Sequence, residues 1–405
     1  MTDIGTVVVI SGVPPGAGGM GLQAANSISE WHRVAREVVA IGPSGARPET
    51  IPPGVRYIEL PPVMAGFRGN RTWLRWLAGR RQYVHDRKFG PRAAAQLDGL
   101  RPALVHVFTQ VGLEAIRWAN AHGVPSILDS PNGHVRNYRD VYVRETRLAG
   151  GRVYLGHPTP RMVARVEEEY RTATFVRVSS DWARDSLVAG GVARDRVRVI
   201  AQTPVAAGIH PPARRDQGTG ESGPDAGPLR VCFVGTLDLR KGFVHLLRAA
   251  RRVGADRVSV RLVGGTVDGF TRRLLARERA GLSVEASWGS PVEALRWAEL
   301  FVLPTLEDGY GFVVVEAMAA GLPVIVTDAC GNAALVREGE TGWVVPAGDD
   351  AALAAAIETA RRRRDRLPAM GDAARADWER LSAMSNAGQL RALYADAVGR
   401  VAPGA

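Results

Sequence analysis

Short apolar runs alternate with longer amphipathic stretches along the whole chain, a pattern typical of parallel sheets whose strands are joined by helices. In the first half the predicted strands are 7–10, 38–41, 56–60, 104–108, 126–128 and 175–178. In the second half they are 229–235, 258–265, 300–304 and 323–328. Two such series predict two α/β domains in tandem, each a Rossmann-like, doubly wound parallel sheet.

The stretch 211–228, between the two series, is polar and rich in Gly and Pro, so it has almost nothing to bury. We therefore predict a first domain over 1–205, a flexible linker over 206–228 and a second domain over 229–374. The remaining residues, 375–405, are predicted to carry one last helix over 375–399 that packs back toward the first domain. A ligand is expected in the cleft where the two domains meet.

Composition argues for a globular protein outside the membrane. The chain has 405 residues, of which 46% are hydrophobic, as in ordinary globular domains. No apolar run approaches the roughly 20 residues that a membrane-spanning helix needs. The first residues lack the basic region and cleavage site of a secretory signal. These features predict a cytoplasmic protein.

Positive charge is concentrated in the first half. Residues 1–200 contain 27 Arg and Lys against 17 Asp and Glu, whereas the remainder contains 25 against 24. The densest stretch, 67–92, places two tryptophans among arginines: Arg71, Trp73, Arg75, Trp76, Arg80 and Arg81. This mixture suits a helix on an anionic membrane surface, and equally a basic surface helix with one core-facing stripe. No nucleic-acid partner is predicted, because no nucleic-acid recognition motif is present.

A glycine-rich loop follows the first predicted strand. Gly16, Gly18 and Gly21 fit the pattern G-x-G-x-x-G, but five residues separate Ile10 from the first glycine. The second strand also ends in Gly-Pro rather than in the acidic residue that a dinucleotide ribose needs. We therefore predict that this loop is a turn facing the ligand and that it does not bind a nicotinamide cofactor.

The stretch 303–332 carries the richest chemistry, in the order Glu307, Asp308, Gly309, Tyr310 and Gly311, before a helix predicted over 313–320. Glycines before a helix leave backbone N–H groups free to bind an anion. A diphosphate fits at Phe312 and Val313, where the helix starts. Glu316 then lies within reach of ribose hydroxyls, and Asp308 lies beside the group that the diphosphate carries.

Residues 308–325 read D-G-Y-G-F-V-V-V-E-A-M-A-A-G-L-P-V-I. This resembles the motif E-G-F-G-x-x-x-x-E-A-M-A-x-G-x-P-V-I of glycosyltransferase family 4, retaining enzymes of the GT-B fold. Asp308 replaces the family's first Glu, and the spacing to Glu316 is kept. Residues 233–249 resemble the family's phosphate clamp G-R-L-x-x-x-K-G, with Lys241 at the lysine. Thr236 occupies the position where the family usually has arginine, and Arg240 is expected to supply the missing positive charge.

The resemblance implies two Rossmann-like domains facing a central cleft, with Gly18 and Gly19 opposite the donor phosphates and His134 near the reacting sugar. It implies retaining transfer of a sugar from a nucleoside diphosphate donor, a UDP- or GDP-sugar, to an acceptor hydroxyl. Lys241, Arg240 and the helix start would stabilise the leaving diphosphate, so neither a metal nor another cofactor is expected. The resemblance also implies that the acceptor is a sugar, a lipid-linked glycan or a small metabolite, in the synthesis of a cell-surface glycan, glycolipid or metabolite glycoside.

Other functions remain open at this stage. A nucleotide-sugar epimerase or a sugar phosphorylase can share the tandem architecture. The substitutions at Asp308 and Thr236 also leave room for a noncatalytic protein that binds nucleotide-sugars. Turnover without an acceptor would favour an epimerase, and affinity without turnover would favour the binding protein.

Overall fold

The computed structural model describes residues 4–61, 78–151, 158–202, 227–266 and 268–401, with the side chains of 78–81 outside the description. The chain forms two compact units. The first comprises Met1–Asp140, Leu155–Gly208 and Met384–Ala405, and the second comprises Val141–Tyr154 and Ile209–Ala383. A short segment from the first half of the sequence therefore groups with the second unit.

The first unit contains a seven-stranded parallel sheet in the order β3-β2-β1-β4-β5-β6-β7. Its strands are β1 (Ile4–Ile10), β2 (Ala35–Pro43), β3 (Arg56–Leu60), β4 (Leu104–Phe108), β5 (Ser126–Asp129), β6 (Phe175–Val178) and β7 (Val197–Val199). The helices are α1 (Gly18–His32), α2 (Ala78–Ala94), α3 (Leu97–Leu100), α4 (Leu113–Ala121), α6 (Pro160–Thr172) and α7 (Asp181–Ala189), with the first residues of α5 (Val135–Leu148), whose remainder belongs to the second unit. Two apolar clusters cover the sheet, which explains why its inner strands are mostly hydrophobic.

The second unit contains a six-stranded parallel sheet in the order β10-β9-β8-β11-β12-β13. Its strands are β8 (Leu229–Val234), β9 (Val258–Val263), β10 (Ser283–Ser287), β11 (Leu300–Leu303), β12 (Val324–Thr327) and β13 (Gly342–Val345). The helices are α8 (Phe243–Val253), α9 (Gly269–Glu278), α10 (Val292–Trp297), α11 (Phe312–Ala319), α12 (Asp350–Arg362) and α13 (Leu367–Ser382). Both sheets confirm the predicted doubly wound α/β class.

The C-terminal part differs from the sequence-based prediction. The single helix expected over 375–399 is two helices, α13 and a last helix α14 (Ala387–Val401), separated by four residues. The second of these belongs to the first unit, where Leu390 lies in the core. Asn386, just before it, donates a hydrogen bond to Glu30 Oε1 at 3.0 Å. The predicted linker lies outside the described residues except for 227–228.

A buried polar cluster crosses the core of the first unit. Arg177 on β6 is fully buried and donates to Glu30 Oε2 at 2.7 Å, while its Nη1 lies 3.8 Å from Asp129 Oδ2. Asp129 also accepts a hydrogen bond from Gln23 at 2.7 Å and lies 3.1 Å from His106 Nε2. These ion pairs and hydrogen bonds connect α1 to β5 and β6, and β5 to β4. Among the helices that the structure describes, none is both long and apolar enough to cross a lipid bilayer.

Candidate functional site

Lys241 lies in a tight loop between β8 and α8. Its backbone N–H donates to Asp238 Oδ1 at 2.8 Å, so the aspartate caps the turn that presents the lysine. Gly242 follows with a φ of +76°, and a Cβ there would lie 1.9 Å from the carbonyl oxygen of Pro304. Only glycine permits this close approach, which holds the loop against the end of β11.

The Lys241 ammonium forms an ion pair with the Asp308 carboxylate, through Nζ and Oδ2. Asp308 is 6% exposed. Burial raises the pKa of this carboxyl, but Lys241 and Arg240 outweigh burial and hold the pKa below its ordinary value. The aspartate is therefore ionised at neutral pH and fixes the lysine at the carboxyl end of the sheet, where open α/β folds bind ligands.

Arg240 points its guanidinium at Glu307. Its Nη1 donates to the Glu307 carbonyl at 2.5 Å and lies 3.1 Å from the carboxylate Oε2. The Arg240 carbonyl oxygen in turn accepts from Leu306 N at 2.8 Å. These contacts join the Lys241 loop to the loop that carries Asp308, so two cations and two carboxylates form one cluster.

Helix α11 begins beside this cluster. Its N-cap residue Gly311 is left-handed, with φ +75° and ψ +60°, and Asn332 Nδ2 donates to the Gly311 carbonyl at 3.2 Å. The first-turn amides, at Phe312 and Val313, have no partner within the helix. Their partial positive charge and the helix dipole favour an anion there.

Glu316 stands on the second turn of α11. Burial raises the pKa of its carboxyl, with no compensating cation as a cause. No hydrogen bond or ion pair of this side chain is found among the described residues. A carboxylate desolvated in this way gains free energy when a ligand donates hydrogen bonds to it.

The first unit carries the remaining predicted site residues. Helix α1 begins at Gly18, and a Cβ added at Gly18 or Gly19 would meet no atom within 4 Å. The first turn of this helix contains no acidic residue. Open backbone at a helix start is suited to an anionic ligand.

His134 is a buried residue, 3% exposed, at the start of α5. Its Nδ1 accepts from the backbone N–H of Arg136 at 3.2 Å, which leaves Nε2 to carry the proton of a neutral ring. Its backbone N–H donates to Ser186 Oγ at 2.9 Å. Burial is the main cause that lowers the pKa of this imidazole, so the neutral form dominates at pH 7.

His245 fixes the first turn of α8, two residues beyond the Lys241 loop. Its Nδ1 lies 2.5 Å from Asp350 Oδ1 and its Nε2 lies 3.4 Å from Glu145 Oε2. Arg248 also faces this group, with Nη1 4.0 Å from Asp350 Oδ2 and Nη2 3.6 Å from Glu278 Oε1. Burial lowers the pKa of His245, but the two contacting carboxylates outweigh it and raise the pKa above 6.5.

A pH dependence of stability follows from this raised pKa. The stabilisation is complete below the ordinary histidine pKa and is lost as the pH rises through the folded-state value. We expect His245→Gln to lower the free energy of unfolding at about pH 6 and to have a smaller effect at about pH 9. Denaturant titrations of both proteins at each pH provide the measurement. An effect of equal size at both pH values would contradict the assignment.

The structure thus brings Arg240, Lys241, Asp308, the turn from Gly309 to Val313, and Glu316 to the carboxyl ends of β8 and β11. Gly18, Gly19 and His134 lie in the first unit. Sequence reasoning missed Asp238 and Asn332, which position the lysine and Gly311. The spacing D-x-x-K, typical of a side-chain-capped turn, is the signal that identifies the first of them. Arg71, Trp73, Arg75, Trp76 and the side chains of Arg80 and Arg81 lie outside the described residues.

Two family models match most of the chain. The model described as "Glycosyl transferase 4-like domain" matches residues 18–203, and "Glycosyl transferases group 1" matches 228–362. The chain is 32% identical over 227 residues to a D-inositol 3-phosphate glycosyltransferase from Nocardia farcinica, covering 52% of this chain and 47% of that protein. It is 43% identical over 164 residues to a phosphatidyl-myo-inositol mannosyltransferase from Mycobacterium leprae, covering 36% and 42%. The chain therefore spans less than half the length of these relatives.

Solved structures share the fold over nearly the whole chain. Sucrose-phosphate synthase from Thermosynechococcus elongatus superposes with a TM-score of 0.73 and 21% identity, covering 98% of this chain and 99% of that one. The Anabaena protein HepE, solved with UDP and glucose, gives a TM-score of 0.66 at 16% identity, covering 96% and 99%. Together with the two family models, these matches establish that the chain belongs to glycosyltransferase family 4 and has the GT-B fold.

Proposed function

We propose that this protein transfers a sugar from a nucleoside diphosphate sugar, a UDP- or GDP-sugar, to an acceptor hydroxyl with retention of the anomeric configuration. The observation that carries the proposal is the cluster in the second unit. A lysine held by a buried aspartate lies in the same cluster of loops as a helix N-terminus, and a desolvated glutamate stands one turn into that helix. The lysine and the helix start match the diphosphate of such a donor, and the glutamate carboxylate matches its ribose hydroxyls.

Each residue is assigned a role that fits its chemistry. Lys241 and the amides of Phe312 and Val313 stabilise the negative charge that develops on the departing diphosphate. Arg240, which forms an ion pair with Glu307, adds positive potential. Asp308 is assigned to the donor sugar. The family resemblance alone assigns Gly18 and Gly19 to the donor phosphates and His134 to the sugar. Because Lys241, Arg240 and the amides at the helix start supply the positive charge, we propose that the reaction needs no metal ion.

Product analysis tests the reaction class. The protein is incubated with UDP- and GDP-sugars and a panel of acceptors that includes myo-inositol, its monophosphates and phosphatidylinositol, chosen from the names of the relatives. We expect acceptor-dependent release of nucleoside diphosphate and a glycoside whose anomeric configuration matches that of the donor. Conversion of the donor without an acceptor would indicate an epimerase, and consumption of inorganic phosphate would indicate a phosphorylase. Binding without any turnover would indicate a noncatalytic protein.

Glu316→Gln should weaken donor binding by about tenfold to a hundredfold, because a hydrogen bond to a charged acceptor is worth about 1.5–3 kcal/mol. Stability without donor should not fall, since the substitution removes a desolvated charge. Calorimetric titration with the donor measures both affinities. Glu379→Gln, at an exposed position on α13, is the matched control. Unchanged affinity in Glu316→Gln would remove the glutamate from the site.

The basic first half leads to a proposal about location. We propose a cytoplasmic protein that associates peripherally with the anionic inner face of the membrane, where a lipid-linked acceptor is presented. Each basic residue near such a surface contributes about 1 kcal/mol. The relative from Mycobacterium leprae is named for a phospholipid acceptor, which is consistent with this location.

The membrane proposal predicts that the protein co-sediments with vesicles containing anionic lipid and that salt weakens this binding. Replacing Arg71, Arg75, Arg80 and Arg81 with Gln should abolish the binding. A control variant replaces four exposed arginines of the second unit with Gln: Arg362, Arg363, Arg366 and Arg380. It should bind as the wild type does. If the wild type does not bind anionic vesicles at low salt, an acceptor free in solution is the better assignment.

A further inference from the structure

Residues 141–148 of α5 lie in the second unit, although they come from the half of the sequence that forms the first. Tyr142 and Glu145 occupy one face of this helical segment, three residues apart. Each contacts a residue that flanks Lys241. The proposed function assigns no role to this contact.

Tyr142 contacts the turn before the lysine. Its hydroxyl donates to Asp238 Oδ2 at 2.8 Å, while Asp238 Oδ1 accepts the backbone N–H of Lys241 at 2.8 Å. Tyr142 is 9% exposed and Asp238 is 5% exposed. One buried carboxylate therefore links the tyrosine hydroxyl to the lysine backbone. When one oxygen of a buried carboxylate is held by a hydroxyl, the other keeps its direction, and so does the amide that donates to it.

Glu145 contacts the helix after the lysine. Its Oε2 lies 3.4 Å from His245 Nε2, in the first turn of α8. The same imidazole is held from its other side by Asp350. The loop between Asp238 and His245 is thus fixed at both ends by the same helical face.

From these contacts we infer that Tyr142 and Glu145 are positioning residues, which hold the Lys241 loop in the geometry that stabilises the leaving diphosphate. The inference rests on the proposed function for its catalytic meaning. Neither side chain needs to touch the donor. Their effect passes through Asp238 and His245 to the direction of the lysine.

Hydrogen exchange tests the positioning itself, without substrate. We expect Tyr142→Phe to accelerate amide exchange about tenfold or more in residues 238–246 and to leave the rest of the second sheet unchanged. The matched control is Tyr394→Phe, which removes the hydroxyl of another buried tyrosine, on α14 in the first unit. Exchange in 238–246 that is equal in the two variants would overturn the inference.

A double-mutant cycle tests the catalytic consequence. In a wild-type background Tyr142→Phe should lower kcat about tenfold and change KM for the acceptor little. In a Lys241→Ala background the same substitution should have no further effect on kcat, because the group that it positions is gone. A merely structural role predicts additive losses in the two backgrounds, and that result would overturn the inference.

Binding of UDP and GDP separates this inference from the proposed function. Absence of calorimetric binding of both by the wild type would refute the proposed donor site, while the exchange experiment would still decide whether Tyr142 orders the loop. Where wild type binds either diphosphate, we expect Tyr142→Phe to bind it several-fold more weakly. Unchanged binding together with unchanged kcat would overturn the positioning role.

Discussion

Lys241→Ala is expected to lower kcat by about a hundredfold to a thousandfold, as does loss of a preorganised group that stabilises transition-state charge. The diphosphate gains negative charge as the sugar departs, so the ammonium interacts more strongly with the transition state than with the bound donor. Donor affinity should therefore fall much less than kcat. Steady-state kinetics and calorimetry on the same preparation measure the two quantities.

The chain offers a matched control for this substitution. Its only other lysine is Lys88, which is exposed on α2. Lys88→Ala should leave kcat unchanged. Lys241→Arg should recover part of the activity, because it restores the charge beside Asp308 with a different geometry. Equal kcat in Lys241→Ala and wild type would remove the lysine from the catalytic residues.

Arg177→Met is expected to have the largest effect on stability. The substitution leaves Glu30 and Asp129 in the core of the first unit without the guanidinium that neutralises them. Breaking a buried ion pair from one side costs about 3–5 kcal/mol. Denaturant unfolding, followed by a probe of the first unit, measures the loss.

Two further variants show whether charge is the cause. Arg194→Met removes an arginine whose side chain is 64% exposed and that pairs with Asp185 on the surface, and should cost less than about 1 kcal/mol. Adding Glu30→Gln to Arg177→Met should recover part of the lost stability, because it removes one unpaired buried charge. If Arg177→Met costs no more than Arg194→Met, the buried cluster does not contribute as described.

The fold was predictable where strands are buried on both faces. The inner strands are mostly apolar, so the pattern of apolar runs identified each of them, and β3 at one edge was identified as well. Three strands were missed, β7, β10 and β13, and each lies at an edge of its sheet. Strand β10 reads S-V-E-A-S with alternating exposure, and β7 has three residues. Strands β7 and β10 are partly exposed, so their sequences carry little hydrophobic signal. Strand β13 reads G-W-V-V and is mostly buried, so exposure does not explain why it was missed.

The candidate site was predictable where its residues lie close together in the sequence. The glycine turn, Glu316 and Lys241 stand in motifs whose spacing is visible in the sequence. Tyr142 and Glu145 were not predictable, because they join the second unit from a helix far earlier in the sequence. Tyr142 stands 96 positions before its partner Asp238. The pairing of Arg240 with Glu307 was also hidden, since two charged residues 67 positions apart give no local pattern.

The proposed function requires that the protein binds a nucleoside diphosphate sugar. A thermal-shift screen with UDP-, GDP-, ADP- and TDP-sugars, and with NAD as the comparison ligand, tests this binding. A ligand that binds only the folded protein stabilises it by about 2.7 kcal/mol at a hundred times its Kd. We predict that at least one of the four nucleotide sugars raises Tm by several degrees and that NAD does not. A Tm that rises with NAD, or with none of the four nucleotide sugars, would contradict the proposed function.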